Sequence, residues 1–154
     1  PHRASHNPLH NDDIIYTPEV TVFKTDTANP KLLPEKEWYN VDVITCAAPN
    51  LRERPSNSYN SGDGNRRAKV TDKELLSIHE KRLGRILDVA FIEGDEVVIL
   101  GAFGCGAFMN NPEVVAMAAK NVIKDYQKAF KAIEFAIYCS PRDERNYKIF
   151  KRIL

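Results

Sequence analysis

The chain has 154 residues, of which 43% are hydrophobic, 28% charged and 9% aromatic. This is the balance of a single globular domain, residues 1–154, long enough to bury a core without disulfides or a structural metal. Twenty-two Lys and Arg against 21 Asp and Glu leave a formal charge of +1, which argues against a general polyanion binder and against attraction to a membrane. Three widely spaced cysteines favour reduced thiols in a cytoplasmic protein.

The first twelve residues are polar and show no periodicity, so they are predicted to form an irregular arm. His2, His6 and His10 are spaced four residues apart, which on a helix would align them like metal ligands. Pro8 disfavours that helix. A solvated arm is the favoured interpretation and a metal site is the alternative.

Strands are predicted next. Residues 14–16 and 20–23 form two short extended pieces separated at Thr17-Pro18, and a loop spans residues 24–40. Residues 41–46 (VDVITC) are β-branched and apolar, as in an interior strand. Residues 52–69 contain almost nothing apolar and are predicted to form a surface loop. Its four arginines fit a solvated charge run better than a phosphate contact.

A long helix is predicted after this loop. Thr71 and Glu74 form a capping box, apolar residues recur at helical spacing to about Phe91, and Gly94 follows the helix. His79 lies on or beside the apolar face, where a hydrogen-bonded histidine at the core edge is favoured over a catalytic one.

The C-terminal half alternates strands and helices. Buried strands are predicted at residues 96–100 and 132–138, and helices from Asn111-Pro112 to about residue 130 and over residues 142–154. This order indicates an α/β domain with a substantially parallel sheet.

Ligands of such sheets bind beyond the carboxyl ends of the strands. Three segments are predicted to meet there: residues 46–50, 101–111 and 138–141. Each carries one cysteine, namely Cys46, Cys105 and Cys139. Because nothing supplies the His or Asp pattern of a thiol nucleophile, these cysteines are interpreted mainly as small packing residues.

Residues 101–108 (GAFGCGAF) are the most informative stretch. Gly101, Gly104 and Gly106 allow close backbone approach, and the loop amides and following helix favour an anion such as a diphosphate. The spacing matches neither G-x-G-x-x-G nor a P-loop, so a tight turn without a ligand stays open. Phe103 is predicted to pack inward. Phe108 is predicted either to line a sugar face or to be buried.

With these motifs described, a family resemblance can be stated. VVILGAFGCGAFMNNPEVVA, VDVITCAAPN and NPLHNDDIIYTPEVTVF resemble segments of macrodomains of the microbial-type poly(ADP-ribose) glycohydrolase family. The resemblance covers most of the chain apart from residues 52–69. It implies a three-layer α/β/α fold with a mixed, substantially parallel sheet.

The resemblance also implies a ligand site, with ADP-ribose as ligand or product and no other cofactor. The backbone N–H groups of residues 104–107 would hold the diphosphate, Phe108 would pack against the distal ribose, and Tyr138 against adenine. The full predicted ligand-binding set is Pro49, Asn50, Gly101, Phe103, Gly104, Cys105, Gly106, Ala107, Phe108 and Tyr138.

One part of the family pattern is missing. The hydrolytic centre of the family is a Gly-Gly-Gly loop followed by Gln-Glu-Glu, and this sequence contains neither a Gly-Gly nor a Glu-Glu pair, so no catalytic residue is assigned. The chain, which begins with Pro1 and not Met, resembles the C-terminal two-thirds of such a domain.

Two functions are therefore carried forward. The first is a glycohydrolase-type macrodomain that hydrolyses ADP-ribose O-glycosidic bonds when complete. The second is a non-catalytic module that binds ADP-ribose or a related nucleotide. The expected partner of either is ADP-ribose or an ADP-ribosylated macromolecule. In either case an exposed sheet edge is expected, covered by a missing N-terminal segment or by self-association.

Overall fold

The computed structural model describes residues 6–58 and 62–154, so the predictions on Pro1 and His2 lie outside the described residues. The α/β class is confirmed. The strands are β1 Ile14–Val22, β2 Tyr39–Cys46, β3 Val97–Leu100 and β4 Ala132–Phe135, and the helices are α1 Asp72–Glu93, α2 Pro112–Tyr126 and α3 Arg145–Ile153. None of the helices described is long and apolar enough to cross a membrane.

The described strands form two pairs. β1 and β2 are antiparallel, with Ile14 opposite Cys46, whereas β3 and β4 are parallel and linked through α2. The two extended pieces predicted around Thr17-Pro18 are one strand, and the proline produces a bulge between Thr17 and Val20 where the register shifts. The predicted loop over residues 24–40 also contains a short 3-10 helix, Glu35–Glu37.

Two predictions about strand burial are wrong. Residues 41–46 were expected inside the sheet, but the side chains of Val41 and Val43 are 38% and 37% exposed. In β3, Val98 is buried whereas Val97 and Ile99 are 50% and 67% exposed. Continuous apolar strands are typical of sheets covered on both faces. In the described part of the chain, helices cover only one face.

The predicted helix boundaries hold at the capped ends. The Thr71 side chain accepts from the Glu74 amide and the Glu74 carboxylate accepts from the Thr71 amide, and Gly94 ends α1 in the left-handed region at φ 86°. Asn111 caps α2, with Pro112 in the first turn. Three elements are shorter than predicted. Helix α2 ends at Tyr126, strand β4 ends at Phe135, and helix α3 begins only at Arg145.

The core lies between the β3–β4 pair and the helices. Val98, Leu100, Ile133 and Phe135 share one face of this pair, because Val98 is opposite Ile133 and Leu100 opposite Phe135. Helices α1 and α2 pack on this face, and Phe150 of α3 packs against Phe135. This packing fixes the carboxyl end of β3 relative to the start of α2.

A buried arginine ties the N-terminal segment to this core. Arg82 of α1 is 2% exposed and donates to the Asp12 carboxylate at 3.0 Å, to the Ala47 carbonyl at 2.9 Å and to the Leu9 carbonyl at 2.8 Å. One guanidinium therefore joins α1, the end of β2 and the arm before β1. Such a fork of donors suits several acceptors at once.

Replacing this arginine should be costly. Arg82→Met keeps the apolar stem but leaves two half-buried carbonyls and the Asp12 carboxylate without their donor, so we expect the free energy of unfolding to fall by about 3 kcal/mol in urea titrations. Arg85→Met is the control, since Arg85 is exposed and donates only to the Asp12 carbonyl. Equal losses in the two variants would contradict the role given to Arg82.

Candidate functional site

The loop of residues 101–108 connects β3 to α2 through tight turns. Gly104 has φ 76°, and a Cβ there would lie 2.7 Å from the Ala48 Cβ and 2.8 Å from the Asn110 Nδ2 atom, so only glycine fits. Gly106 is different. Its φ is not in the left-handed region, and a Cβ there would meet nothing within 4 Å, which leaves space above the loop.

Asn110 joins the ends of β2 and β3. Its side chain is buried, and its Nδ2 group donates to the carbonyls of Pro49 at 2.7 Å, Gly104 at 3.0 Å and Phe108 at 3.2 Å. The segments after the two strands therefore meet at one edge of the fold, as the sequence predicts. The third segment is not joined in this way: Tyr138 is 90% exposed.

His79 lies behind this carboxamide. Its Nε2 atom is 2.9 Å from the Asn110 Oδ1 atom, which can only accept, so Nε2 carries the proton. The ring also packs edge-on against Phe103, with centroids 5.5 Å apart. Nδ1 has no partner among the described residues, and burial lowers the pKa of His79, although the bond to Asn110 opposes this. His79 thus supports the loop as a neutral imidazole.

Six backbone N–H groups of the loop make no hydrogen bond within the part of the chain that is described: those of Gly101, Ala102, Gly104, Gly106, Ala107 and Phe108. The Cys105 N–H differs, since it donates to the Ala102 carbonyl at 2.9 Å. Gly106 and Ala107 are also exposed. Successive free amides ahead of a helix N-terminus form an anion-binding surface.

Phe108 lies at the rim of the loop, half-buried. Its ring is 5.9 Å from the His10 ring in an edge contact, and the Arg52 guanidinium lies 5.6 Å from its centroid. The sequence left open whether Phe108 lies at the rim, where it could line a sugar face, or is buried. The structure places it at the rim and partly buried. One face of the ring is engaged by protein, so a sugar would contact what remains exposed.

A cluster that the sequence did not reveal fixes the other half of this edge. His10 is buried, although a solvated arm was predicted, and its two ring nitrogens lie 2.8 Å from the Ala48 carbonyl and 2.8 Å from the Asp63 carboxylate. Asn50 donates to the second Asp63 oxygen at 2.7 Å and to the Pro55 carbonyl at 3.1 Å. The predicted surface loop therefore contains buried residues, which are held by hydrogen bonds.

The cluster bears on two predicted ligand residues. Pro49 and Asn50 are both fully buried, and the Asn50 side chain is occupied by internal partners. They shape the edge from below, and their contact with a ligand stays a prediction. No sequence pattern indicated this cluster, because His10 and Asp63 are 53 residues apart in sequence and each follows a polar, aperiodic stretch.

The cysteines show no sign of activation. Burial raises the pKa of Cys105 to about 12, against a weaker opposing effect of the Arg145 guanidinium, and burial also raises the pKa of Cys46. Cys139 is exposed. Among residues 6–58 and 62–154, no group of three or more His, Cys, Asp or Glu residues is placed to hold a metal ion.

Comparison with known proteins adds to this geometry. No protein-family model matches the chain, and no curated protein matches it. Solved structures do. Poly(ADP-ribose) glycohydrolase from Deinococcus radiodurans in complex with ADP-ribose is 30% identical, with a TM-score of 0.78 over 99% of this chain and 56% of that one. The enzyme from Thermomonospora curvata is 28% identical, with a TM-score of 0.78 over 97% and 50%.

The fold and the loop thus place the chain among α/β proteins with a ligand edge beyond the carboxyl ends of parallel strands. The resemblance to the microbial-type poly(ADP-ribose) glycohydrolase family is confirmed by these structures. The chain spans slightly more than half the length of the Deinococcus radiodurans enzyme.

The buried histidine makes stability depend on pH. In the unfolded chain His79 binds a proton near its usual pKa of 6.5, whereas the folded chain resists protonation. The unfolded state then holds more protons, so the free energy of unfolding should fall as pH drops below 6.5, by at most about 1.4 kcal/mol per pH unit.

The measurement compares urea unfolding of the wild type and His79→Gln between pH 8 and about pH 5.5. The glutamine amide can still donate to Asn110 but does not titrate. We expect a shallower decline in the variant. Parallel curves for the two proteins would contradict a neutral buried His79.

Proposed function

We propose that this chain binds ADP-ribose, with the diphosphate on the backbone N–H groups of Gly104, Gly106, Ala107 and Phe108. The observation that supports this most directly is the run of unpartnered amides on an exposed loop. In a solved structure of the same fold, 30% identical, the Deinococcus radiodurans glycohydrolase is in complex with ADP-ribose. The proposal differs from the sequence prediction at two positions. It leaves out Cys105, whose amide is already bonded within the loop, and it adds the amide of Phe108.

Preorganisation favours this binding. Asn110 holds the carbonyls of Gly104 and Phe108 through its Nδ2 group, which fixes the backbone of the loop before a ligand arrives. Binding to a fixed loop avoids the entropy cost of ordering it. The open space over Gly106 gives a phosphate direct access to the backbone.

Local charge assists although the net charge is close to zero. The Arg52 guanidinium lies over the Phe108 ring, and the charge of Arg145 acts to lower the pKa of the Cys105 thiol. Both positive charges favour an anion near the loop.

The remaining assignments follow the resemblance. Phe108 packs against the distal ribose, and Gly101 and Phe103 are further ligand contacts. Tyr138, which is exposed, is the candidate for adenine. ADP-ribose is ligand or product and no other cofactor is invoked. We assign hydrolysis of ADP-ribose O-glycosidic bonds to a fuller assembly of this fold, since the chain contains no Glu-Glu pair to supply the family's acid/base.

A non-catalytic ADP-ribose reader is the second candidate, favoured by the same absence of that sequence motif. For the fold, we propose the three-layer arrangement with a mixed sheet. Its support is the exposed apolar face formed by Val43, Val97 and Ile99, which a second layer of helices would cover.

The binding proposal is tested by calorimetric titration. The wild-type chain should bind ADP-ribose with a dissociation constant on the order of micromolar. Gly106→Val places a branched side chain where the diphosphate approaches and should weaken binding at least about tenfold, or about 1.4 kcal/mol.

Gly84→Val is the matched control, because a Cβ at Gly84 in α1 also meets nothing within 4 Å and lies away from the loop. It should bind like the wild type. Unchanged affinity in Gly106→Val, or no binding by the wild type, would refute the proposed site.

A further inference from the structure

A cleft of about 480 Å³ opens beside the end of the β3 loop. It adjoins the proposed ligand edge, because Met109 directly follows Phe108 in sequence and the Leu51 amide donates to the Phe108 carbonyl at 2.9 Å. Residues from the segment after β2, from the arginine-containing loop and from the end of the β3 loop line it: Leu51, Arg52, Glu53, Arg54, Arg67 and Met109.

Positive charge dominates this cleft. Three guanidinium groups and one carboxylate line it, and the contact between Arg67 and Glu53 is a long one, 4.0 Å, between exposed side chains. Arg54 makes no ion pair or hydrogen bond with the residues that the structure describes. Exposed pairs elsewhere are closer, as Lys131 and Glu96 are at 2.6 Å. The cleft therefore keeps positive charge that the protein does not neutralise.

Arg52 is held in place by neutral oxygens. Its Nε group donates to the Asn50 Oδ1 atom at 3.1 Å, and its Nη2 group donates to the Pro55 carbonyl at 2.9 Å. Both acceptors belong to fully buried residues, so the guanidinium is fixed while its charge stays uncompensated. A charge fixed in this way binds an anion without the entropy cost of ordering a long side chain.

Met109 has an unusual backbone conformation for an exposed residue of its type. Its φ of 57° lies in the left-handed region, where residues with long side chains are uncommon, and its side chain is 66% exposed. Glycine would adopt this turn without strain. Backbone strain of this kind concentrates at functional sites, where a side chain is needed in spite of its cost.

The cleft lies at the ribose end of the proposed ADP-ribose site. The Arg52 guanidinium is 5.6 Å from the centre of the Phe108 ring, and under the proposed function this ring packs against the distal ribose. The diphosphate is assigned to the preceding loop amides and adenine to Tyr138. A group attached to the distal ribose would therefore emerge next to the arginines.

We propose that this cleft is a second phosphate subsite, an inference that rests on the proposed function. It binds a phosphate that the ligand carries beyond its distal ribose, on the guanidinium groups of Arg52, Arg54 and Arg67, with Met109 as an apolar wall. Guanidinium groups suit phosphate because two of their N–H groups can bond to its oxygens in parallel. The phosphate is either a monoester on that ribose or part of a nucleotide joined to it.

The test compares ligands by calorimetric titration of the whole chain. One ligand is ADP-ribose, and the other is ADP-ribose with a phosphate monoester on the anomeric hydroxyl of its distal ribose. The wild type should bind the phosphorylated ligand at least about tenfold more tightly. The double variant Arg54→Gln, Arg67→Gln should lose most of this gain and keep its affinity for ADP-ribose, since both side chains are exposed.

Arg66→Gln is the matched control, because it makes the same charge change at an exposed residue of the same loop that does not line the cleft. It should keep the gain. A two-unit ADP-ribose oligomer tests the other source, and a gain with the oligomer alone assigns the phosphate to a joined nucleotide. No gain that depends on Arg54 and Arg67 with either ligand, or an equal loss in the control, would overturn the proposal.

A second measurement separates this subsite from ADP-ribose binding. Inorganic pyrophosphate is titrated without ADP-ribose while the arginine Nε–H resonances are followed by NMR, and those of Arg52, Arg54 and Arg67 should shift more than that of Arg66. If they shift but ADP-ribose does not bind, the proposed function fails and the phosphate subsite stands. If ADP-ribose binds but they do not shift, the subsite alone fails. Larger shifts with a hexaglutamate peptide than with pyrophosphate would overturn the assignment to phosphate.

Discussion

The carboxamide of Asn110 is the contact on which the ligand edge depends. It is buried, and it must place its donors on three carbonyls that belong to the β2 end and the β3 loop while its oxygen accepts from His79. Removing one of these partners would leave a further buried polar group unpaired, which costs about 1–3 kcal/mol. Position 104 accepts only glycine for the same reason, since a Cβ there would collide with this side chain.

Polar contacts of the same kind secure the surroundings. The bonds of His10 and Asn50 to Asp63 fix an aperiodic stretch that has little apolar surface to bury, and the Arg82 guanidinium fixes the arm before β1. The ligand edge is thus built from buried hydrogen bonds, whereas the β3–β4 pair is held by apolar packing. A cavity lies between β2, which ends at the hydrogen-bonded edge, and β3, which belongs to the apolar pair. Helix α1 lines this cavity and contributes to both parts.

Local chemistry in the sequence predicted a good part of this. The Thr71–Glu74 capping box, the Asn111-Pro112 helix start and the glycine after α1 depend on neighbouring residues, and the structure has all three. The meeting of residues 46–50 with 101–108 followed from the rule that carboxyl ends of parallel strands share an edge. The burial of His10 depends on Asp63, far away in sequence, and no local pattern announces such a pair. Strand burial was overestimated because the apolar pattern of β2 and β3 fits a sheet covered on both faces.

The fold is shared with poly(ADP-ribose) glycohydrolase structures over slightly more than half of their length, and we propose that the loop of residues 101–108 binds a diphosphate. The most direct measurement of that claim is amide NMR of the chain titrated with ADP-ribose. The proposed contacts predict that the largest shifts fall on the N–H groups of Gly104, Gly106, Ala107 and Phe108, with a smaller shift at Cys105, whose amide already bonds to Ala102. Shifts confined to the arginines of residues 52–69, or none at all on the loop, would contradict it.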